Sequence, residues 1–139
     1  MKVLVSACIL GENCKYNGKN NYNQKITEFL EDKEVITICP EMLAGLGTPR
    51  KCAEIVDGRV MDNEGNDVDQ AFRKGVEIAV SQVKTEAVDL AVLQARSPTC
   101  GVNQVYDGSF SGALIKGEGL FAKELLRMGI KVLDSSDFK

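Results

Sequence analysis

Histidine is absent from the 139 residues of this chain. A thiol-based metal site is therefore favoured over the usual histidine-containing zinc site. No Cys-x-x-Cys pair occurs either: five residues separate Cys8 from Cys14, and twelve separate Cys39 from Cys52. Thioredoxin-type exchange and ribbon-type zinc thus lose their sequence signature. No apolar run approaches the roughly 18–20 residues that span a bilayer, and lysines and glutamates interrupt every helical candidate, so no membrane partner is expected. Charge of one sign is not concentrated anywhere: 17 basic and 20 acidic residues are mixed along the chain for a net charge of -3. We expect no nucleic-acid partner. Val5-Ser6-Ala7-Cys8 resembles a lipoprotein cleavage site, but only seven residues precede Cys8, whereas secretory signals need roughly 15–30. A cytoplasmic location is expected. With 44% hydrophobic residues and no repeat, low-complexity tract or linker, the chain reads as one domain over residues 1–139.

What the chain does have is cysteine. The odd count of five argues against a closed set of disulfides and for metal or redox chemistry. Cys8, Cys39 and Cys100 each follow a short apolar run that reads as a strand: Val3-Leu4-Val5, Val35 to Ile38, and Val88 to Leu93. In a parallel α/β sheet the carboxyl ends of strands line one edge, where residues distant in sequence converge. Three soft sulfur ligands without histidine favour an iron-sulfur cluster. A cubane held by three cysteines leaves one iron without a cysteine ligand, open to a substrate.

The pattern predicts an α/β fold, Rossmann-like, with a mainly parallel central sheet, flanking helices and a small β-hairpin. Helices are expected at about Gln24 to Glu31, from near Asp67 (as a capping residue) to about Thr85, and at about Gly119 to Met128, stopped by Gly129. A final strand follows, from Ile130 to Leu133. Asp57-Gly58 signals a two-residue hairpin turn. A second such turn is expected at Asp107-Gly108, between Val105-Tyr106 and Ser109-Phe110. The glycines and prolines of Leu43 to Arg50 predict a loop beside the site.

Two of the three prolines flank candidate ligands: Pro40 follows Cys39, and Pro98 precedes Thr99-Cys100. Proline fixes φ and removes a donor, which suits a loop that ends a strand and holds a thiolate in one direction. Glu41 and Ser97 lie close in sequence to Cys39 and Cys100. If the cysteines converge, a carboxylate and a hydroxyl for proton transfer and substrate polarisation come with them.

Several stretches together resemble a bacterial domain family, the domain-of-unknown-function family 523, whose members include 2-thiouracil desulfidases. They are Ser6-Ala7-Cys8 with Leu10-Gly11, Cys14-Lys15-Tyr16-Asn17-Gly18, Cys39-Pro40-Glu41, Gly45-Leu46-Gly47-Thr48-Pro49-Arg50, Ser97-Pro98-Thr99-Cys100-Gly101, Tyr106-Asp107-Gly108 with Phe110-Ser111-Gly112, and Gly117-Glu118-Gly119. The resemblance implies a [4Fe-4S] cluster on Cys8, Cys39 and Cys100, with Glu41 and Ser97 as the catalytic pair. It also implies a small thiolated substrate whose sulfur meets the open iron. The chain departs from the family pattern at Gln94, where lysine is usual, and at Thr99, where serine is usual; both bear on substrate preference.

Plainer readings stand beside these. A lone buried cysteine is ordinarily core, Glu41 alone is ordinarily an ion-pair partner, for instance of Arg50, and Ser97 alone is ordinarily a turn residue. Gly45-Leu46-Gly47 is a poor dinucleotide fingerprint, because Arg50 stands where the third glycine belongs. Gly117-Glu118-Gly119 reads as an entry to a helix, and Arg96 as a surface arginine. Two other functions remain open from the residues: an iron-sulfur carrier or sensor with Cys14 as fourth ligand, and a small-molecule binding module with no cluster.

Overall fold

The computed structural model describes residues 1–138. In chain order its elements are β1 (Lys2–Ser6), α1 (Gln24–Phe29), β2 (Glu34–Ile38), α2 (Pro40–Leu43), β3 (Ala53–Val56), β4 (Arg59–Asp62), α3 (Asp69–Lys84), β5 (Leu90–Leu93), β6 (Gln104–Tyr106), β7 (Leu114–Lys116), α4 (Leu120–Arg127) and β8 (Lys131–Asp134). Four strands form a parallel sheet in the order β2-β1-β5-β8. This is the mainly parallel α/β architecture the apolar runs predicted.

The inner strands are apolar without interruption because both faces of the sheet are covered. On one face Leu4, Ala91 and Leu93 pack with Val76, Ala79 and Val83 of α3 and Phe121, Ala122 and Leu125 of α4. On the other, Val3, Val5, Leu90 and Val92 pack with Ile9, Ile26 and Leu30. From β1 the chain moves outward to β2, then returns to β5 on the opposite side of β1. The connections diverge between β1 and β5, and such a switch point opens a crevice at the carboxyl ends of the strands.

Asp57 (φ 49°) and Gly58 (φ 81°) form the two-residue turn between β3 and β4, the left-handed pair that such a turn requires. The expectation for Asp107-Gly108 is corrected. The strand partner of β6 is β7, with Tyr106 opposite Leu114, so the connection is a longer loop over residues 107–113. The cause is local: the Asp107 carboxylate accepts from Ser109 N at 2.9 Å, while Glu54 on β3 accepts from Gly108 N and Phe110 N at 3.0 and 3.2 Å. These bonds fold the loop onto β3 instead of letting Ser109-Phe110 pair with Val105-Tyr106.

Smaller differences have equally local causes. Asp67 does not cap α3; its carboxylate takes Asp69 N at 3.0 Å and Arg59 Nε at 2.7 Å, and the helix starts at Asp69. Pro40 sits inside a helix, not a loop, as the first residue of the one-turn α2 with Cys39 at its N-cap. That position needs no backbone N–H. Beyond Leu43 the segment to Arg50 has no regular element, with Gly45 and Gly47 at positive φ, as expected.

Candidate active site

A cavity of about 610 Å³ opens at the carboxyl ends of β1, β2 and β5. Cys8 reaches it from the turn after β1, Cys39 from the end of β2, and Cys100 from the loop after β5; Glu41 and Ser97 line it as well. Cys14 and Cys52 also line it. None of the five cysteines forms a disulfide.

The Ser97–Cys100 loop owes its shape to α4 behind it. Leu120 N donates to Pro98 O at 2.9 Å, and Phe121 N and Ala122 N to Thr99 O at 2.8 and 3.1 Å. The orphan donors of the helix start thus hold the loop. In front, Ser97 Oγ accepts from Thr99 N and Cys100 N, both at 3.1 Å. With both lone pairs occupied, the Ser97 hydroxyl is left to act as a donor; its neighbours are Thr99 Oγ1 at 2.9 Å and Glu41 Oε2 at 3.5 Å.

Glu41 is gripped on both oxygens. Oε1 accepts from Arg50 Nε at 3.2 Å and Nη2 at 3.0 Å, and Oε2 accepts from Thr99 Oγ1 at 3.0 Å. The ion-pair reading of Glu41 and its place in the cavity are therefore the same fact. The sequence alone shows Arg50 only as a competing partner for Glu41 and Thr99 only as a departure from the family pattern. Thr99 is wholly buried, and its hydroxyl joins Ser97 to Glu41.

The thiols are not equivalent. Cys14 lies beside Cys39 and Cys8, and its one S–H proton can be offered to either, which pushes its own thiol far above the usual range. Hydrogen bonding from Cys14 brings Cys39 down to about 7 against the opposing effect of burial. Cys8 is lowered against burial in the same way, helped by Asn21, whose Nδ2 lies 3.4 Å from Cys8 Sγ. Cys100 is the exception, pushed up to about 12 by burial although the Ser6 and Thr99 hydroxyls pull the other way. Thiolate is the ligand form, so Cys8 and Cys39 are the sulfurs most prepared to bind a cation. Asn21 and Cys14 both come from the polar loop before α1, in which the sequence motif covers Cys14 but not Asn21.

These donors suit an iron-sulfur cluster. Five thiols line one cavity with no histidine, and among the described residues no three Cys, Asp or Glu side chains converge closely enough for a single ion. A multi-iron group spreads its thiolate ligands more widely than one ion does.

The profile of the 2-thiouracil desulfurase family matches residues 3–137. This chain belongs to that family. Among relatives, an uncharacterized protein of Bacillus subtilis (strain 168), YbbK, is 32% identical, over 97% of this chain and 96% of its own length. The solved structure of the [4Fe-4S]-dependent thiouracil desulfidase TudS is 33% identical, covers 98% of this chain and 91% of its own, and superposes with a TM-score of 0.90. The resemblance read from the motifs is met, and membership of the 2-thiouracil desulfurase family makes this a desulfurating enzyme. Among the described residues no helix is long and apolar enough to cross a membrane.

Proposed function

We propose that this protein hydrolyses the carbon–sulfur bond of a thiolated pyrimidine such as 2-thiouracil, releasing sulfide without net redox change. The observation that carries the reading is the Glu41 carboxylate, held on both oxygens inside a cysteine-lined cavity by Arg50 and Thr99. Likeness to the [4Fe-4S]-dependent thiouracil desulfidase TudS supports it. Cys8, Cys39 and Cys100 would hold a [4Fe-4S] cluster with one iron lacking a cysteine. When bound, the cluster supplies a soft Lewis acid for thiocarbonyl sulfur, leaving the attached carbon more electrophilic.

The chain's own residues handle water and protons. Glu41 Oε2 accepts a proton from the water that attacks the carbon. A carbon–oxygen bond forms, the carbon–sulfur bond breaks with its electron pair going to sulfur, and that sulfur leaves as sulfide with the displaced protons. The single Ser97 proton goes either to Thr99, orienting Thr99 and Glu41, or to a water or ring atom in the cavity.

The reading is tested with Glu41→Gln and Ser97→Ala variants carrying full clusters. Loss of thiouracil desulfuration is expected; the parent rate in either variant would sink the assignment of that residue.

The position of Cys14, beside both Cys8 and Cys39, favours one second reading: an iron-sulfur carrier or sensor with Cys14 as fourth ligand. Iron and acid-labile sulfide after anaerobic reconstitution separate the two. A Cys14→Ala variant keeps about four of each under the desulfidase reading and loses its cluster under the carrier reading.

A further inference from the structure

Arg50 has no part in the reaction as written, yet it is among the most fully bonded side chains of the cavity wall. Its side chain is only 10% exposed. Nε and Nη2 meet Glu41 Oε1 at 3.2 and 3.0 Å, Nη2 also donates to Cys14 O at 2.9 Å, and Nη1 donates to Gly47 O at 2.8 Å with Met42 Sδ at 3.9 Å. A guanidinium has five N–H donors, and each is directed at one of these atoms. None remains for a substrate anion. The Arg50 backbone N–H adds a bond to Tyr16 O at 2.6 Å.

These partners lie on three segments that touch the cavity: α2, the loop after it, and the polar loop that carries Cys14 and Tyr16. We propose that Arg50 is a positioning residue that aims the Glu41 carboxylate and, with the same fork, latches the Cys14–Tyr16 segment across the cavity. Its catalytic half rests on the desulfidase reading; its latching half does not. Lysine cannot replace it, because one ammonium cannot reach Glu41, Cys14 O and Gly47 O in the plane a guanidinium spans.

The test compares cluster-loaded parent protein with Arg50→Lys and Arg50→Gln. Turnover of 2-thiouracil is measured together with iron per chain, and Cys14 alkylation by iodoacetamide is followed by peptide mass spectrometry. In Arg50→Lys the iron content should stay at the parent level and KM within about threefold, while kcat falls roughly 10- to 100-fold, as expected for a misaimed catalytic group. Cys14, 6% exposed in the parent, should be alkylated about 10-fold faster once its segment opens locally. Arg50→Gln, which keeps donors but not the fork, should show the same pattern. Parent-like kcat overturns the aiming role, and a raised KM with unchanged kcat overturns it in favour of direct substrate binding. Unchanged Cys14 alkylation overturns the latch. A parent that holds its cluster but spares 2-thiouracil overturns the desulfidase reading instead, and the alkylation rates then decide the latch alone.

Discussion

Gly75 on α3 faces the carbonyl of Pro40 so closely that a Cβ there would stand 2.1 Å from the oxygen and 2.8 Å from Ala44 Cβ. Gly75 is mid-helix, where glycine ordinarily costs about 1 kcal/mol relative to alanine. Here the missing side chain lets α3 serve as the bed for α2, and α2 carries Glu41 directly after Cys39. Gly75→Ala should reverse the usual propensity gain and destabilise the fold by roughly 1–3 kcal/mol, the usual cost of overpacking. Because α2 must move, desulfuration should fall as well. Urea unfolding and turnover of the same preparation check both; a stabilised, fully active variant would show that α2 yields without consequence.

Gly119 plays the corresponding part behind Cys100. A Cβ at this position would lie 2.5 Å from Thr99 C and 2.9 Å from Cys100 N. Gly119→Ala should push the Thr99–Cys100 peptide toward the cavity and misplace one thiol, so iron retained per chain after anaerobic reconstitution should drop below that of the parent. The effect is expected to exceed that of an alanine at Gly129, whose side-chain direction is open, although that site has its own strain at φ 81°.

Thr99 ties Ser97 to Glu41 through a hydroxyl. Thr99→Val keeps the shape and removes that link, leaving Ser97 with no nearer hydrogen-bond acceptor than Glu41 Oε2 at 3.5 Å. We expect kcat to fall on the order of 10-fold, consistent with a carboxylate turned off its productive line. Thr99→Ser should recover most of the loss. A valine variant at the parent rate would mean that the hydroxyl only fills space.

Asp69 makes a prediction remote from the site. It opens α3 and its side chain is 5% exposed; it accepts from Val60 N at 3.0 Å and from Arg73 Nε at 2.7 Å. Burial alone would raise its pKa, but the hydrogen bonds from Arg73 and Val60 outweigh it and hold the carboxyl below the ordinary range. Asp69→Ala leaves the buried Val60 N–H unpaired, at a cost of roughly 1–3 kcal/mol near neutral pH. A group with a depressed folded-state pKa stabilises above its unfolded value of about 3.9 and loses that contribution as pH falls through the folded value. The difference in Tm between parent and variant should therefore be full at neutral pH and narrow only in acid below about pH 4. A difference that grew in acid would reverse the sign assigned to Asp69.

Sheet and helix content were legible because burial writes itself into the chain at fixed periods. Val3-Leu4-Val5 and Leu90 to Leu93 are apolar throughout because both faces of a parallel strand are covered, and Ala79 and Val83 recur at helical spacing because α3 turns one side to the sheet. The second hairpin departs from expectation because two identical dipeptides meet different surroundings. Asp57-Gly58 is free to turn, whereas the chain after Asp107-Gly108 is captured by Glu54, a residue more than fifty positions earlier.

The chemical inventory is legible in the chain alone: soft thiols without histidine, a carboxylate beside one of them and a hydroxyl beside another, and strands whose carboxyl ends would bring these near one edge. Which of them touch depends on how the folded elements close on one another. That Glu41 is shared between Arg50 and Thr99, that Cys14 lies beside Cys8 and Cys39, and that Gly75 and Gly119 back the segments carrying Glu41 and Cys100 are relations across long stretches of chain. Periodicity records whether a residue is buried, because that depends on its own element. It carries no record of the partner, which depends on how separate elements close around the switch point of the sheet.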